Sequence, residues 1–175
     1  GDDPKNDIII YTEKDPSFFV SAGLSHDDRF VYLDSSQHDT DEIFFFECDE
    51  KSPKPRLIKK RELDFEYDVS YHPESNSFFI LTNKDKAVDY KIMKVSTKNP
   101  EVENWETFLE HKPGRLILGI MIIKGWLIKS VRDNFKKEII ATNLNTNEEH
   151  KIEFENEEDC SIGASPTAVD YDSNG

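Results

Sequence analysis

The stretch Ser77-Phe78-Phe79-Ile80-Leu81 is a short apolar run behind a polar turn, and the chain repeats it once on either side. The counterparts are Arg29-Phe30-Val31-Tyr32-Leu33 and Gly125-Trp126-Leu127-Ile128-Lys129. The first aromatic residues of the three runs, at positions 30, 78 and 126, are separated by 48 residues each time. A fixed period of this length indicates a repeated structural unit.

Each repeat contains four short candidate strands. Leading strands are predicted at residues 18–24, 65–71 and 116–123. The third strands keep the 48-residue period and are predicted at residues 41–46, 89–94 and 137–142. Polar links suited to hairpins join the second and third strands at residues 35–40, 83–88 and 131–136. Charged, alternating runs that are typical of edge strands close the repeats at residues 56–59, 105–109 and 150–154.

Four strands in a period near 48 residues are typical of β-propeller blades, and no segment keeps a helical apolar stripe over three turns. We therefore predict an all-β chain, a partial β-propeller of about three four-stranded antiparallel blades across residues 1–175. The predicted parts are a blade end, three blades and the start of a further blade, at residues 7–13, 18–62, 65–112, 115–156 and 161–175. Because three blades cannot close a ring, we expect the parent chain to be longer at both ends.

The charge of the chain limits the partners it can bind. Its 175 residues carry a formal net charge of -14, so its surface repels phosphate backbones and anionic lipids. Nucleic acid and membrane are therefore not expected as partners. A cationic partner fits the charge, as does a role of the acidic surface in solubility alone.

The two cysteines, Cys48 and Cys160, are too few and too far apart for a disulfide framework or a metal site. The longest apolar run, residues 116–123, is too short to span a bilayer, and no signal-like segment opens the sequence. We therefore expect a cytoplasmic protein.

Several stretches carry a resemblance to a known family. They are Glu13-Lys14-Asp15-Pro16-Ser17-Phe18-Phe19-Val20, Ser35-Ser36-Gln37-His38-Asp39-Thr40-Asp41-Glu42, Phe79-Ile80-Leu81-Thr82-Asn83-Lys84-Asp85, Asp89-Tyr90-Lys91-Ile92, and Trp105 followed by His111-Lys112-Pro113-Gly114. In order and spacing, over most of residues 7–170, they resemble the prolyl oligopeptidase family of serine peptidases. The His-Lys-Pro-Gly segment is similar to its oligopeptidase B branch.

This resemblance implies a seven-bladed propeller that covers an α/β-hydrolase domain in the same chain. The propeller of such enzymes limits access to short peptides. Oligopeptidase B-like members cleave after Arg or Lys, and prolyl oligopeptidases cleave after Pro. A cationic peptide substrate would agree with the acidic charge of this chain.

The chemistry of such an enzyme is not expected within these residues. No two glycines stand four apart, so the Gly-x-Ser-x-Gly elbow of a hydrolase is absent from the sequence. We therefore predict no catalytic, cofactor-binding or metal-binding residue in this chain, and a fragment that is inactive by itself. The histidines lack zinc-site spacing and are interpreted as solvated or turn-bonded, at positions His26, His38, His72, His111 and His150.

Three short motifs leave two interpretations each. Residues 170–175, Asp-Tyr-Asp-Ser-Asn-Gly, fit the start of a calcium loop but also a hairpin turn, which is favoured. Phe44-Phe45-Phe46 is either an exposed binding patch or, as favoured here, core. Lys59-Lys60-Arg61 is a short basic run on an acidic chain and is interpreted as a solvated edge or a link between blades.

Two rival functions remain beside the peptidase. The chain could be a propeller scaffold for protein–protein binding with no attached enzyme, or an enzyme with a site in its own channel. The channel site requires convergent carboxylates or a metal, and equivalent inner strands show no repeated carboxylate. Because an open sector exposes its outer blade faces, we also expect self-association. It would use the faces of the blade that contains Phe44 and Phe46 and of the blade that contains Ile139 and Ile140, or a swapped partial blade at residues 7–12.

Overall fold

The computed structural model describes residue 5 and residues 7–153. Twelve strands form within that part of the chain. They are β1 (Phe19–Leu24), β2 (Phe30–Gln37), β3 (Thr40–Glu47), β4 (Arg56–Lys59), β5 (Tyr67–His72), β6 (Ser77–Thr82), β7 (Lys91–Ser96), β8 (Glu106–Leu109), β9 (Arg115–Ile123), β10 (Trp126–Asp133), β11 (Lys136–Asn143) and β12 (Glu149–Ile152).

The strands form three separate four-stranded sheets, each an antiparallel meander in chain order: β1 to β4, β5 to β8 and β9 to β12. Two short 3-10 turns, Lys84–Lys86 and Val102–Asn104, interrupt the loops of the second sheet. The all-β prediction is confirmed, and the three sheets are consistent with partial propeller blades. No helix among the described residues has the length and hydropathy of a membrane span.

The pairing of the second and third strand repeats to the residue. In the first sheet Phe30 pairs with Glu47. In the second sheet Phe78 pairs with Val95, and in the third Trp126 pairs with Asn143. Both members of each pair advance by 48 positions, so the sequence period is also the structural period of this hairpin. The leading strands follow it less closely, because the turns that enter β2, β6 and β10 differ in length.

The described residues up to 64 belong to one compact unit, which contains the first sheet. Its apolar core lies around Phe30 and Phe45, whose rings meet edge to face with centroids 5.5 Å apart. Ile43, Phe46 and Ile58 are buried with them. In contrast, all six residues of β1 are exposed.

A second compact unit begins at residue 65, and its described part, residues 65–153, contains the second and third sheets. A single apolar cluster joins these two sheets. Its buried members are Phe79, Leu81, Ile92, Ile117, Ile122, Leu127, Val131 and Ile140. Loops 83–90, 110–114 and 134–135 lie at one end of this unit, because an antiparallel meander returns to the same end at every second connection.

Two sequence predictions about the connections are wrong in detail. The polar links at 35–40 and 131–136 are largely strand, since β2 and β10 continue to two-residue turns at residues 38–39 and 134–135. The link at 83–88 extends to residue 90, because Asp85, Lys86 and Tyr90 adopt positive φ angles and delay the start of β7 to Lys91.

The predictions at the ends of the chain have different outcomes. Residues 7–13, predicted as a blade end with a closing strand, form no strand in the structure. The fourth strand of the third sheet covers Glu149–Ile152 rather than residues 150–154. The segment 161–175, predicted to begin a further blade, lies outside the described residues.

Candidate functional site

The densest polar cluster of the first unit centres on Arg61, which follows β4. Its guanidinium donates to Glu13 Oε2 at 2.6 Å and to Glu42 Oε2 at 2.7 Å. The backbone N–H of Arg61 donates to the other oxygen of Glu42, and the Ser35 hydroxyl donates to Glu13 at 2.6 Å. We call Tyr11, Glu13, Ser35, Glu42 and Arg61 the Arg61 cluster.

The Arg61 cluster shifts the pKa values of Glu13 and Arg61. The hydrogen bond from Arg61, followed by those from Ser35 and from the Asp15 backbone, holds the pKa of Glu13 well below its usual range. The two carboxylates in turn raise the pKa of Arg61. A carboxylate with such a low pKa is a poor proton acceptor, so Glu13 is unsuited to general base catalysis. The cluster therefore acts structurally and anchors the segment before β1.

Within the basic run Lys59-Lys60-Arg61, the side chain of Arg61 is therefore not solvated. The Arg61 guanidinium is mostly covered, and its central carbon lies 3.9 Å from the centroid of the Phe18 ring. Lys59 is also largely covered and pairs with Glu62 at 2.9 Å. Of the two interpretations, the solvated edge is wrong for these two side chains, and the link between blades stays a prediction. Nearby carboxylates compensate the burial of both charges.

A serine, a histidine and a carboxylate meet in the turn between β5 and β6. His72 Nδ1 lies 2.7 Å from the Ser75 hydroxyl, and His72 Nε2 lies 2.8 Å from Glu74 Oε2. Burial lowers the pKa of His72. This set was not predicted from the sequence, in which its members are near neighbours at one hairpin connection.

This set has the residue types of a hydrolytic triad but a structural setting. His72 is the last residue of β5, and Glu74 and Ser75 lie in the short turn that follows it. The His72 ring packs edge to face on Phe79 with centroids 5.9 Å apart. Acyl transfer also requires hydrogen-bond donors aimed at the developing oxyanion. In this turn the N–H of Asn76 donates to the carbonyl of Pro73 instead. The interpretation of His72 as a turn-bonded histidine is confirmed.

The second unit contains a loop junction organised by Asp89. Its side chain accepts the N–H of Gly114 at 2.7 Å, and its backbone N–H donates to His111 Nε2 at 3.3 Å. The Asp89 carbonyl accepts the N–H of Ile117 at 3.1 Å. Gly114 has a φ of 82°, a conformation that favours glycine. The His-Lys-Pro-Gly segment is thus a connector held in place by Asp89, and His111 is turn-bonded as predicted.

A pocket of about 290 Å³, including its open mouth, lies in the second unit between the end of β8 and the third sheet. Its apolar wall includes Leu109, Ile117 and Val131. Lys129 and Glu149 also line it and form an ion pair with each other. The Lys129 side chain is only 3% exposed, and burial lowers the pKa of its ammonium group.

Lys129 occupies a position where the other repeats carry leucine. The 48-residue period equates it with Leu33 and Leu81, and the pairing agrees, since Leu81 pairs with Ile92 and Lys129 with Ile140. The sequence showed this departure from the repeat but gave no sign that Glu149 would lie beside it.

The remaining candidate residues are dispersed. His26 and His38 lie in turns of the first unit, His150 lies on β12 against the Trp126 ring, and Cys48 is an exposed free thiol. Cys160 and the possible calcium loop at 170–175 lie outside the described residues. Within the part of the chain that the structure describes, no three His, Cys, Asp or Glu side chains gather as metal ligands would.

The three phenylalanines of β3 belong to the core rather than to an exposed binding patch. Phe45 is 1% and Phe46 8% exposed, while Phe44 is half-buried and packs on Tyr11 with ring centroids 5.1 Å apart. Ile139 and Ile140 of the third sheet are buried as well. Phe46, Ile139 and Ile140 are thus covered within their own units, and self-association through the faces of the blades that contain them stays a prediction.

Comparison with known proteins identifies the relatives of this arrangement. The family model for the N-terminal β-propeller domain of prolyl oligopeptidase matches residues 1–170. A prolyl endopeptidase-like protein from Rattus norvegicus is 31% identical over 124 residues, which are 71% of this chain and 17% of that protein. The chain thus spans about one sixth of the length of the curated relatives it matches.

Solved structures agree on the fold. Oligopeptidase B from Leishmania major superposes with a TM-score of 0.80 at 18% identity, over 89% of this chain and 23% of that one. Oligopeptidase B from Trypanosoma brucei with covalently bound antipain gives a TM-score of 0.79 at 22% identity, over 88% of this chain and 22% of that one.

Proposed function

Because the chain belongs to the prolyl oligopeptidase family, in its N-terminal β-propeller domain, we propose that it is a non-catalytic propeller sector of a serine-type oligopeptidase. The observation that carries the proposal is the residue-for-residue repeat of the β2–β3, β6–β7 and β10–β11 hairpins. That repeat builds a scaffold rather than a reaction centre. In this proposal residues 18–62, 65–112 and 115–156 are successive blades, flanked by parts of two others at 7–13 and 161–175.

The reacting groups belong to another part of the parent protein in this proposal. An α/β-hydrolase domain in the same parent chain supplies the serine, the histidine and the acid. The 175 residues contribute no catalytic, cofactor-binding or metal-binding side chain. The low pKa of Glu13 and the confinement of His72, Glu74 and Ser75 to one hairpin connection support this assignment.

The propeller would gate the hydrolase domain and admit short peptides only. We propose an oligopeptidase B-like preference for cleavage after Arg or Lys in a cytoplasmic enzyme. The formal net charge of -14 supports a cationic substrate, since an acidic cavity concentrates cationic peptides.

The test is a comparison of the isolated chain with the full-length parent protein. The parent should release a fluorophore from short peptides ending in Arg or Lys. It should cleave the same short sequence poorly when that sequence lies within a long polypeptide. The isolated chain should cleave neither substrate. Cleavage after Pro would correct the specificity and leave the family role intact. A parent that lacks a hydrolase domain and cleaves nothing would contradict the proposal and favour a protein-binding scaffold.

We also propose that the isolated chain associates with itself through β1. This strand is exposed along its whole length, and Phe19 at its start is 80% exposed. An exposed apolar edge strand is a template for pairing with another chain. Light scattering at low micromolar concentration in moderate salt should detect dimers, and Val20→Lys should return them to monomers. A wild-type chain that stays monomeric would refute this association.

A further inference from the structure

The tip of the β10–β11 hairpin presents an aromatic ring to solvent. Asn134 and Phe135 form the two-residue turn between Asp133 and Lys136, which pair with each other. Both turn residues have positive φ angles, 47° for Asn134 and 67° for Phe135. Phe135 is 99% exposed, so its ring contributes nothing to the core of this chain.

The fold does not require an aromatic residue at this position. A two-residue hairpin turn with both φ angles positive favours Asn-Gly, because glycine adopts the left-handed region without strain. The corresponding tip of the first sheet carries His38 and Asp39, two polar residues. Phe135 therefore opposes both the backbone conformation and the tendency of apolar rings to leave water. A side chain retained against both is expected to serve a contact.

The charge around the tip is opposite to that of the chain. Arg132, Lys136 and Lys137 flank Phe135, and all three are exposed. Asp133 is the one acidic residue between positions 132 and 137, in a chain whose formal net charge is -14. An apolar ring flanked by cationic residues is complementary to an apolar pocket rimmed by carboxylates.

We propose that the Asn134–Phe135 tip is a docking element that inserts the Phe135 ring into a carboxylate-rimmed apolar pocket elsewhere in the parent protein. The inference rests on the proposed function, in which these residues are a sector of a longer chain. The relatives are several times longer than this chain, so the parent has ample surface outside these residues to cover the ring. Docking within one polypeptide also needs little area, because its effective concentration is high.

Hydroxyl-radical footprinting tests the contact directly. Phe135 should be oxidised rapidly in the isolated chain and at least several-fold more slowly in the monomeric parent protein. A phenylalanine-containing peptide added in equal amount to both samples provides the reference for radical dose. Equal oxidation of Phe135 in both proteins would overturn the proposal. Protection found only in oligomeric fractions would also overturn it, because a second copy would then be the partner.

The substitution Phe135→Gly gives a second, independent test. In the isolated chain it relieves the backbone strain and should raise the melting temperature by about 2–4 °C. In the parent protein it removes the anchor and should lower the melting temperature instead. The matched control is Asn147→Gly, an exposed left-handed residue in the turn at the opposite end of the same sheet. Its effect should have the same sign in both proteins.

These outcomes separate the two proposals. A parent protein that cleaves peptides while Phe135→Gly shifts both proteins upward would refute the docking element and leave the peptidase role intact. A parent that cleaves no peptide but protects Phe135 would refute the peptidase role and leave the docking element intact.

Discussion

Glu13 and Arg61 occupy the same position in successive repeats, 48 residues apart, and form an ion pair with a 2.6 Å contact. Glu13 precedes the first sheet, and Arg61 follows its last strand. The two segments that flank the sheet are therefore tied to each other by their side chains. Glu42, near the start of β3, accepts a hydrogen bond from the same guanidinium. This contact links the Glu13–Arg61 pair to the sheet itself.

Removing the cation of this tie should loosen the first unit. Arg61→Met leaves Glu13 and Glu42 without their shared donor and should lower the free energy of unfolding by about 2 kcal/mol. Hydrogen exchange of peptides from residues 19–59, measured by mass spectrometry, would report the loss. Arg29→Met is the control, because the Arg29–Glu47 pair is about half exposed. Equal effects of the two substitutions would contradict a special role for Arg61.

The same tie predicts an acid-sensitive contribution to stability. The folded-state pKa of Glu13 lies below its ordinary value of 4.5, so the folded state favours the charged form. The stabilisation is therefore complete above the ordinary value and is lost as the pH falls through the folded-state pKa. Wild type should be more stable than Glu13→Gln at pH 7, and the two should converge as the pH falls from 5 toward 2 in urea titrations. A difference that is independent of pH would contradict this account.

The buried ammonium of Lys129 should be dispensable, whereas its partner should not be. Lys129→Leu restores the residue type of the other repeats and should leave stability unchanged or raise it. Glu149→Gln keeps the ammonium buried without its counter-ion and should lower the free energy of unfolding by about 2 kcal/mol. Urea unfolding followed by the fluorescence of Trp105 and Trp126, both in the second unit, measures each effect.

Glu148→Gln is the matched control for this pair. Glu148 is the exposed neighbour of Glu149, so its neutralisation should change stability by less than about 0.5 kcal/mol. A destabilising Lys129→Leu would indicate instead that the pocket requires its cation.

Gly114 should tolerate no side chain. Its φ of 82° disfavours any L-residue, so Gly114→Ala should cost about 1 kcal/mol and weaken the hydrogen bond to Asp89. Gly119→Ala is the control, since an added Cβ at that position meets no atom within 4 Å and the φ angle of Gly119 is not positive. The same fluorescence titration should find Gly119→Ala neutral or slightly stabilising. Equal losses for the two alanines would show that the Gly114 turn adapts.

The fold was predictable because its determinants are local. Alternating and apolar strands at a fixed spacing, separated by polar turns, define a meander without any knowledge of distant contacts. The same reasoning wrongly predicted a strand within residues 7–13. The isoleucines Ile8, Ile9 and Ile10 have strand-like side chains, yet a strand forms only when another strand accepts its hydrogen bonds, and these residues remain exposed.

The polar sites were not predictable for a related reason. Arg61 appeared as one member of a basic run, and only the closure of the first sheet brings Glu13 and Glu42 to it. Lys129 appeared only as the end of a repeated run, and its carboxylate partner lies on another strand, 20 residues further along the chain. Phe135 appeared to belong to a polar link, and its φ angle and exposure are properties of the folded hairpin.

The 48-residue register of the hairpins also sets the step by which the gene can change length. A recombination crossover between equivalent positions of two repeats, such as 33 and 81, adds or removes 48 residues and restores every cross-strand partner downstream. A crossover offset by one residue would turn the apolar side chains of the hybrid hairpin to the opposite face of its sheet. Viable length variants of this region should therefore differ by whole multiples of the repeat.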